Sequence, residues 1–366
     1  MASSASYRGW EHVEFSWNEA TGAIGDSVTV LPIVGAVAVL TDLSLALMLI
    51  WFGVFQVVWG LYYGLPISVE PMKAVAALLL AGAITTGELL VAGLLLGIIL
   101  LAIGLTGTLE RVERYIGIPV VRGIQLGVAL VLLETGVGLG AGNVTLAALA
   151  VVVALVVIAF GYWQLSALVV LVVGAGVAMW SAGTPAPAVP SADGMMLFGW
   201  SNLTFPALEA TVAQLAMTVG NAALATSVLL SDYFRRSVSA DELSTSMGVT
   251  NLVAIPFGAL PMCHGSGGVA GKYAFGARTA GANVILGVAY VAVALLAVGL
   301  VAAYPVAVLG VILALVAFEL GRTSLQEATA LPFVIAVGVV GVVINLGVAF
   351  VGGAVAYLLL RWRGIL

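Results

Sequence analysis

The chain has few charged residues. Only 8% of its 366 residues are Asp, Glu, Lys or Arg, whereas 62% are hydrophobic. Such a small polar inventory cannot cover a soluble globule of this size. Apolar stretches of about 20 residues recur along nearly the whole length, and each could cross the roughly 30 Å of bilayer hydrocarbon as a helix. The composition therefore predicts an integral membrane protein of the all-α polytopic class.

Cysteine and histidine are almost absent. Cys263 is the single cysteine, which excludes an intrachain disulfide and a cysteine-cluster metal site, and His12 and His264 are the two histidines. We therefore expect neither structural zinc nor any other metal or cofactor. The net charge of −5 offers no basic face for nucleic acid. An enzyme is also disfavoured, because the apolar segments hold too few acids, histidines and cysteines to form a nucleophile and its base.

Apolar runs and their polar interruptions divide the chain into about fourteen transmembrane segments, several of them short. Their approximate bounds are 22–41, 43–64, 69–84, 87–108, 117–137, 143–160, 163–181, 206–230, 243–260, 266–278, 281–302, 305–320, 331–344 and 347–361.

The distribution of Lys and Arg between loops tests this count. Loops after odd-numbered segments contain neither residue, whereas the even-numbered side carries Arg111, Arg114, Arg235, Arg236, Arg278, Arg322, Arg361 and Arg363. Because cytoplasmic loops are enriched in Lys and Arg, we expect a multi-pass cell-membrane protein with both termini in the cytoplasm. Residues 1–20 have no signal-peptide pattern. They are predicted to lie at the membrane interface, anchored by Trp10, Phe15 and Trp17.

The chain also shows an internal repeat. A linker at 182–205, rich in Pro, Ala and Gly, separates a first half at 21–181 from a second at 206–366, with seven segments in each. A shift of 195 residues places Gly25-Asp26 on Gly220-Asn221 and Pro66 on Pro261 without a gap. An odd number of spans per half means opposite orientations, which is the inverted-repeat plan of secondary transporters.

Two segments are interrupted at matching positions of the halves. In "PISVEPMKAVAA", Pro66 and Pro71 prevent a continuous helix, so we expect an extended strand followed by a half-helix that starts near residue 70. In "PMCHGSGGVAGKYAFGART", Pro261 and the following glycines predict the same break. Two facing helix N-termini form an anion site, to which Lys73 would add a full charge. The pattern therefore predicts a small anion bound between residues 68–73 and 264–268.

These two stretches resemble the signature motifs of the MOT1-type molybdate transporters, distant relatives of the SulP/SLC26 sulfate permeases and of the uracil permeases. "TGAIGDSVTVLP" and "QLAMTVGNAALATSVLLSDYF" are similar to that family's first and eighth segments. The resemblance implies a core domain of segments 1–4 and 8–11, a gate domain of segments 5–7 and 12–14, and elevator-type movement of one against the other. It also implies a tetrahedral oxyanion as substrate, molybdate before sulfate or tungstate, and a homodimer through the gate domain.

One residue departs from the family's usual pattern. Glu70 stands where the family usually has Gln, and a carboxylate beside an anion site repels the substrate unless it is protonated or paired. Glu70 could therefore couple transport to protons, neutralise Lys73, or indicate a different substrate. The sequence ends at Leu366, directly after the last span. We therefore expect no STAS domain, which again resembles the molybdate branch.

The candidate substrate-binding residues come from the two breaks and from segments one and eight. They are Ser68, Val69, Glu70, Lys73, His264, Gly265, Ser266, Gly267, Asp26, Asn221 and Gln214. Glu70 and Asp26 are also the candidate proton carriers, since intramembrane charges are costly and indicate function. Simpler roles are open for each polar residue in this set: an i, i+3 ion pair for Glu70 and Lys73, and interhelical hydrogen bonds or helix capping for the others.

Secondary transport of an oxyanion, by proton symport, is the first hypothesis. A nucleobase or organic-anion carrier on the same fold is less well supported. Such families usually need carboxylates on segments eight and ten, where this chain offers Asn221 and glycines. An anion channel is the remaining alternative, because half-helices also serve channels.

Overall fold

The computed structural model describes residues 13–184 and 199–364, which form a helical bundle around two short antiparallel strands. Its helices are α1 (Trp17–Leu40), α2 (Leu45–Tyr63), α3 (Lys73–Leu80), α4 (Thr86–Thr106), α5 (Leu109–Ile116), α6 (Ile118–Ala141), α7 (Val144–Ala159), α8 (Ser166–Ala182), α9 (Phe205–Met217), α10 (Thr226–Phe234), α11 (Ala240–Ala254), α12 (Ser266–Ala274), α13 (Gly281–Leu296), α14 (Val306–Gln326), α15 (Leu331–Val343) and α16 (Leu346–Trp362). Most of the predicted interfacial segment, with Trp10, and most of the predicted linker lie outside the described residues.

Each of the fourteen predicted segments corresponds to a helix. Among the described residues, seven helical stretches are long and apolar enough to cross a membrane, the α9–α10 stretch counting as one, and α7, α13, α15 and α16 are shorter apolar helices. The other three segments are α11 and the half-helices α3 and α12. The prediction of an all-α polytopic membrane protein is confirmed. Helix α5 was not predicted, because its sequence "LERVERYI" is too polar and too short to register as a span.

Side-chain caps define where many of these helices begin. Thr85 and Ser239 form capping boxes with Glu88 and Glu242 at the starts of α4 and α11. Ser44 caps α2 in the simpler way, with its hydroxyl accepting the Leu47 N–H. These caps satisfy N–H groups that have no intrahelical acceptor, and therefore favour helix starts at the ends of the apolar runs.

Helices from the two halves of the chain pack against one another throughout the bundle. The most extensive contacts join α6 to α14 and α15, α4 to α11, and α2 to α13. Helix α1 crosses α12 so closely that a Cβ on Gly25 would lie 2.6 Å from the Gly271 carbonyl oxygen. Only glycine permits this approach, which places the middle of α1 beside the second half-helix.

The two chain breaks meet at the centre of the molecule. Strand β1 (Glu70–Pro71) pairs antiparallel with β2 (Met262–Cys263), so that Glu70 lies opposite Cys263. The Met72 N–H continues the pairing by donating to the Pro261 carbonyl at 2.8 Å. The predicted helix start near residue 70 is wrong by about one turn, because Pro71 lies in the strand pair and α3 begins at Lys73.

Candidate functional site

Helices α3 and α12 both begin beside the strand pair, and their first N–H groups are partly satisfied by side chains. Gln214 of α9 accepts from Ala74 N (2.8 Å) and Val75 N (3.4 Å), which caps the first turn of α3. The first turn of α12, which starts at Ser266, has no side-chain cap at its N-cap residue. A helix N-terminus carries about half a positive charge, so this first turn attracts an anion.

Glu70 lies between the two half-helices and is completely buried. Its Oε2 is 2.5 Å from Lys73 Nζ, and its Oε1 accepts from Gly268 N at 2.6 Å in the first turn of α12. The hydroxyl of Ser68 contributes a longer bond of 3.3 Å to Oε1. The ion pair considered for Glu70 and Lys73 is therefore present. In addition, the carboxylate occupies part of the positive site formed by Lys73 and α12.

Asp26 belongs to a second buried ion pair, directly behind the first. Its Oδ2 is 3.1 Å from Lys272 Nζ and accepts from Gln56 Nε2 at 2.5 Å, while its Oδ1 accepts from Ser68 Oγ at 2.5 Å. Both charged side chains are fully buried. Ser68, within hydrogen-bonding distance of both Asp26 and Glu70, links the two carboxylates.

Lys272 has every donor satisfied. In addition to the Asp26 pair it donates to Gln56 Oε1 (2.8 Å), the Ile67 carbonyl (2.6 Å) and Asn283 Oδ1 (2.9 Å). These partners lie on α2, the first chain break and α13, so the cluster joins four elements around α12. A buried charge is tolerated only when it is paired and hydrogen-bonded in this way.

Sequence reasoning missed Lys272, Gln56 and Asn283. Lys272 stands inside the quoted second motif, and an intramembrane lysine is itself a signal of function. The motif's glycines and its proline indicate the start of α12, whereas Lys272 lies in the last turn of that helix.

Removal of Lys272 is expected to destabilise the protein. In Lys272→Met, the buried Asp26 carboxylate loses its ion-pair partner, which for a buried pair costs about 3–5 kcal/mol. Thermal unfolding in detergent should therefore show a markedly lower midpoint. The double variant Asp26→Asn/Lys272→Met removes both charges and should recover part of the loss. An unchanged midpoint for the single variant would contradict the role assigned to this pair.

His264 is buried and serves the local structure. Its Nδ1 is 2.8 Å from the Ser68 carbonyl oxygen and its Nε2 is 2.7 Å from Ser246 Oγ, so both ring nitrogens have protein partners. The Thr226 hydroxyl donates to the His264 carbonyl at 2.9 Å. His264 thus connects the first chain break to α10 and α11, and it has no free nitrogen for a ligand.

Asn221 lies in an eight-residue π-helical stretch, Thr218–Ala225, between α9 and α10. The Ser266 hydroxyl donates to Asn221 Oδ1 at 2.6 Å, just as the Ser68 hydroxyl donates to Asp26 in the first half. Asp26 and Asn221, which the 195-residue shift aligns, therefore each accept from a serine that lies later on their own side of the linker. π-Helical stretches are frequent at functional sites.

A cavity of about 450 Å³ reaches the first turn of α12. Lys73, Asn221, Ser266 and Gly267 line the part of it beside the first turn of α12, here called its inner end. Gly267 is exposed there, with nothing within 4 Å of where a Cβ would stand. The rest of its lining comes from α1, α6, α8, α10, α12, α14 and the turn before α8, and includes Thr29, Gln125, Trp163, Gln164, Glu319 and Thr323. A small anion would therefore meet a lysine, a serine hydroxyl and the first turn of a helix.

The predicted site residues separate into three groups in the structure. Lys73, Asn221, Ser266 and Gly267 line the cavity. Asp26, Ser68 and Glu70 are buried immediately behind it. Val69, His264, Gly265 and Gln214 support the backbone at the breaks and are also buried. Among the described residues no group of His, Cys, Asp and Glu is arranged to hold a metal ion.

The chain matches the family model described as "Molybdate transporter of MFS superfamily". The match covers residues 18–132 and 206–320, two stretches of equal length that contain all eleven predicted site residues. Two curated relatives from Arabidopsis thaliana align over 94% of this chain and 88% of their own length. They are Molybdate transporter 2, at 28% identity, and Molybdate transporter 1, at 29% identity.

Solved membrane transporters share the fold. The transmembrane domain of the cyanobacterial bicarbonate transporter BicA superposes with a TM-score of 0.70 at 19% identity, over 93% of this chain and 99% of that one. Murine Slc26a9, an anion transporter in an inward-facing state, gives 0.68 at 13% identity over 99% of this chain and 73% of that one. The fold is therefore that of SLC26-type transporters. With the family match over more than half of its length, the chain belongs to the molybdate transporter family, a family of membrane transporters and not of enzymes.

Proposed function

We propose that this protein carries a tetrahedral oxyanion, molybdate, across the cell membrane, and that the anion binds at the inner end of the cavity. The observation that carries the proposal is the convergence of Lys73, Ser266 and the first turn of α12 on that space. A lysine and a helix N-terminus together favour a small anion, and they do not recognise a particular nucleobase. The names of the two plant relatives support molybdate within this class.

The position of the cavity supports alternating access. It is lined both by α1, α10 and α12, which belong to the proposed core domain, and by α6, α8 and α14 of the proposed gate domain. Its lining lies near the starts of α6 and α8, near the end of α10, around the middle of α1 and from the middle of α14 towards its end, which favours an opening on the side where α1 begins. With the N-terminus in the cytoplasm, this conformation is inward-open. Elevator movement of the core along the gate would then carry the anion outward and back.

Two observations support the inverted repeat on which such movement depends. The family model matches two stretches of the same length, one in each half of the chain. The two breaks pair antiparallel through Glu70 and Cys263, as expected when the halves have opposite orientations. The homodimer through the gate domain stays a prediction.

Glu70 gives the proposed transport a proton requirement. A dianion beside the ionised Glu70 carboxylate would meet a repulsion of about 4 kcal/mol for each unit-charge pair at 4 Å and an effective dielectric constant of about 20. Protonation of Glu70 removes this repulsion and releases Lys73 and the Gly268 N–H, which now hold the carboxylate at 2.5 and 2.6 Å. One proton would therefore enter with each oxyanion, as in a symporter. Asp26, held by Lys272, is the less accessible carrier.

Uptake by liposomes containing the purified protein tests this proposal. Labelled molybdate should accumulate when the outside is made more acidic, because the gradient drives proton and anion inward together. A protonophore should abolish the accumulation, and unlabelled molybdate should compete better than sulfate. Absence of molybdate uptake under these conditions would contradict the proposed substrate. Flux far above carrier turnover, insensitive to the protonophore, would indicate a channel.

A further inference from the structure

A second cavity is lined by residues of α5 and of the end of α16, none of which lines the cavity of the proposed transport site. It has a volume of about 730 Å³ and is lined by Arg111, Arg114, Tyr115, Leu358, Arg361 and Trp362. None of its three guanidinium groups forms an ion pair with a carboxylate among the described side chains. Three guanidinium groups brought together, with no described carboxylate in ion-pair contact, attract an anion, and they match phosphate oxygens in geometry and charge.

The surrounding backbone holds these arginines together. Helix α5, which carries Arg111 and Arg114, turns into α6 at Gly117 with φ +80°, and Tyr357 of α16 fills the space beside that glycine. Arg361, one turn further along α16, donates to the Arg114 carbonyl at 3.4 Å. The cavity is therefore formed by two chain segments that are packed against each other.

The cavity lies where apolar helices end. It follows the end of α4, precedes the start of α6, and adjoins the last turn of α16. Tyr115 and Trp362 are strongly exposed there, at 68% and 83%. Exposed Tyr and Trp beside arginines at the ends of apolar helices are typical of the membrane–water interface. By the charge pattern of the loops, this is the cytoplasmic interface.

An exposed apolar stripe leads from the bilayer side of α16 into the cavity. Val351, Val355, Leu358 and Trp362 follow one another at spacings of four, three and four residues, which places them on one face of the helix, and all four are exposed. The combination of a basic cavity and an adjoining apolar stripe matches a phospholipid, with its phosphate and its acyl chain. A free oxyanion would make no use of the stripe.

We propose that this cavity binds the headgroup phosphate of an anionic phospholipid of the cytoplasmic leaflet, whose acyl chain lies along the stripe on α16. Basic pockets beside transmembrane helices on this side of a membrane are suited to such headgroups. The inference is independent of the substrate proposed above.

Lipid-dependent thermal unfolding of the full chain in detergent tests it. Added phosphatidylglycerol should raise the unfolding temperature of the wild type in a saturable way, and phosphatidylcholine should not. In Arg111→Gln/Arg114→Gln, the half-saturating concentration of phosphatidylglycerol should rise roughly thirtyfold. Each basic residue near an anionic lipid contributes about 1 kcal/mol to binding, and the variant removes two of them. Arg235→Gln/Arg322→Gln is the matched control, since it removes two exposed arginines outside the cavity, and it should respond as the wild type does.

Three results would overturn the proposal. They are an equal loss of the phosphatidylglycerol response in both double variants, an equal response of the wild type to phosphatidylcholine, and the same stabilisation by inorganic phosphate alone. The last result would identify a site for a soluble anion instead. If Arg111→Gln/Arg114→Gln elutes as an aggregate, Arg361→Gln serves in its place, with a smaller expected rise of about fivefold.

Discussion

Gly268→Ala is expected to weaken oxyanion uptake strongly. A Cβ at this position would lie 2.1 Å from Ser68 Oγ, 2.2 Å from Asp26 Oδ1 and 2.4 Å from Glu70 Oε1, all of which belong to buried side chains. The added methyl group would force the two carboxylates away from their partners or α12 away from the strand pair. Inserting a methyl group into a well-packed site costs about 1–3 kcal/mol. If this cost destabilises the conformation that binds the oxyanion, the affinity for the oxyanion falls roughly tenfold to hundredfold.

Gly267→Ala is the matched control for the steric clash, which should lower the unfolding temperature of Gly268→Ala. The two glycines are adjacent in the first turn of α12, but a Cβ on Gly267 would have nothing within 4 Å, since it would point into the cavity. The unfolding temperature of Gly267→Ala in detergent should therefore equal that of the wild type. Its KM for molybdate should rise, because the methyl group takes up part of the binding space. Wild-type uptake by Gly268→Ala would show that α12 does not need its present contact with Glu70 and Asp26.

Much of the fold could be predicted because hydropathy and chain breakers act locally. Apolar runs marked each span, and Pro66, Pro71 and Pro261 marked the breaks, because proline removes a backbone donor wherever it occurs. The start of α3 was placed too early for a different reason. Pro71 is equally suited to the first turn of a helix and to a short strand, and the choice depends on pairing with Met262, 191 residues away.

The site was less predictable than the fold. Glu70 and Lys73 could be paired from their i, i+3 spacing, and the ion pair is present. The second partner of Glu70, the Gly268 N–H, comes from the other half of the chain, as do Lys272 for Asp26 and Ala74 N for Gln214. Such partners are set by how the halves pack, and a single sequence with a gapless repeat alignment does not reveal that packing. The same limit applies to His264, whose ring partners lie in α11 and at the first chain break.

Lys73→Gln is expected to lose both stability and uptake. Lys73 neutralises the buried Glu70 carboxylate at 2.5 Å and retains 16% exposure of its own side chain, towards the cavity. Without it, the carboxylate is left buried with the Gly268 N–H as its principal partner, and the cavity loses its one full positive charge among the lining residues. Removing one member of a buried pair costs about 3–5 kcal/mol. Lower unfolding temperature and uptake reduced at least about tenfold should be observed together.

The double variant Glu70→Gln/Lys73→Gln separates these two effects. Because neither charge is then left unpaired, the unfolding temperature should return towards that of the wild type, whereas uptake should stay low for lack of a cation at the site.

The single variant Glu70→Gln should keep uptake, since Gln still fits beside the Gly268 N–H, but an imposed proton gradient should no longer accelerate it. If Glu70→Gln responds to the gradient as the wild type does, Glu70 is not the proton carrier. Uptake restored in the double variant would show that Lys73 serves only to neutralise Glu70, and that the first turn of α12 alone holds the anion.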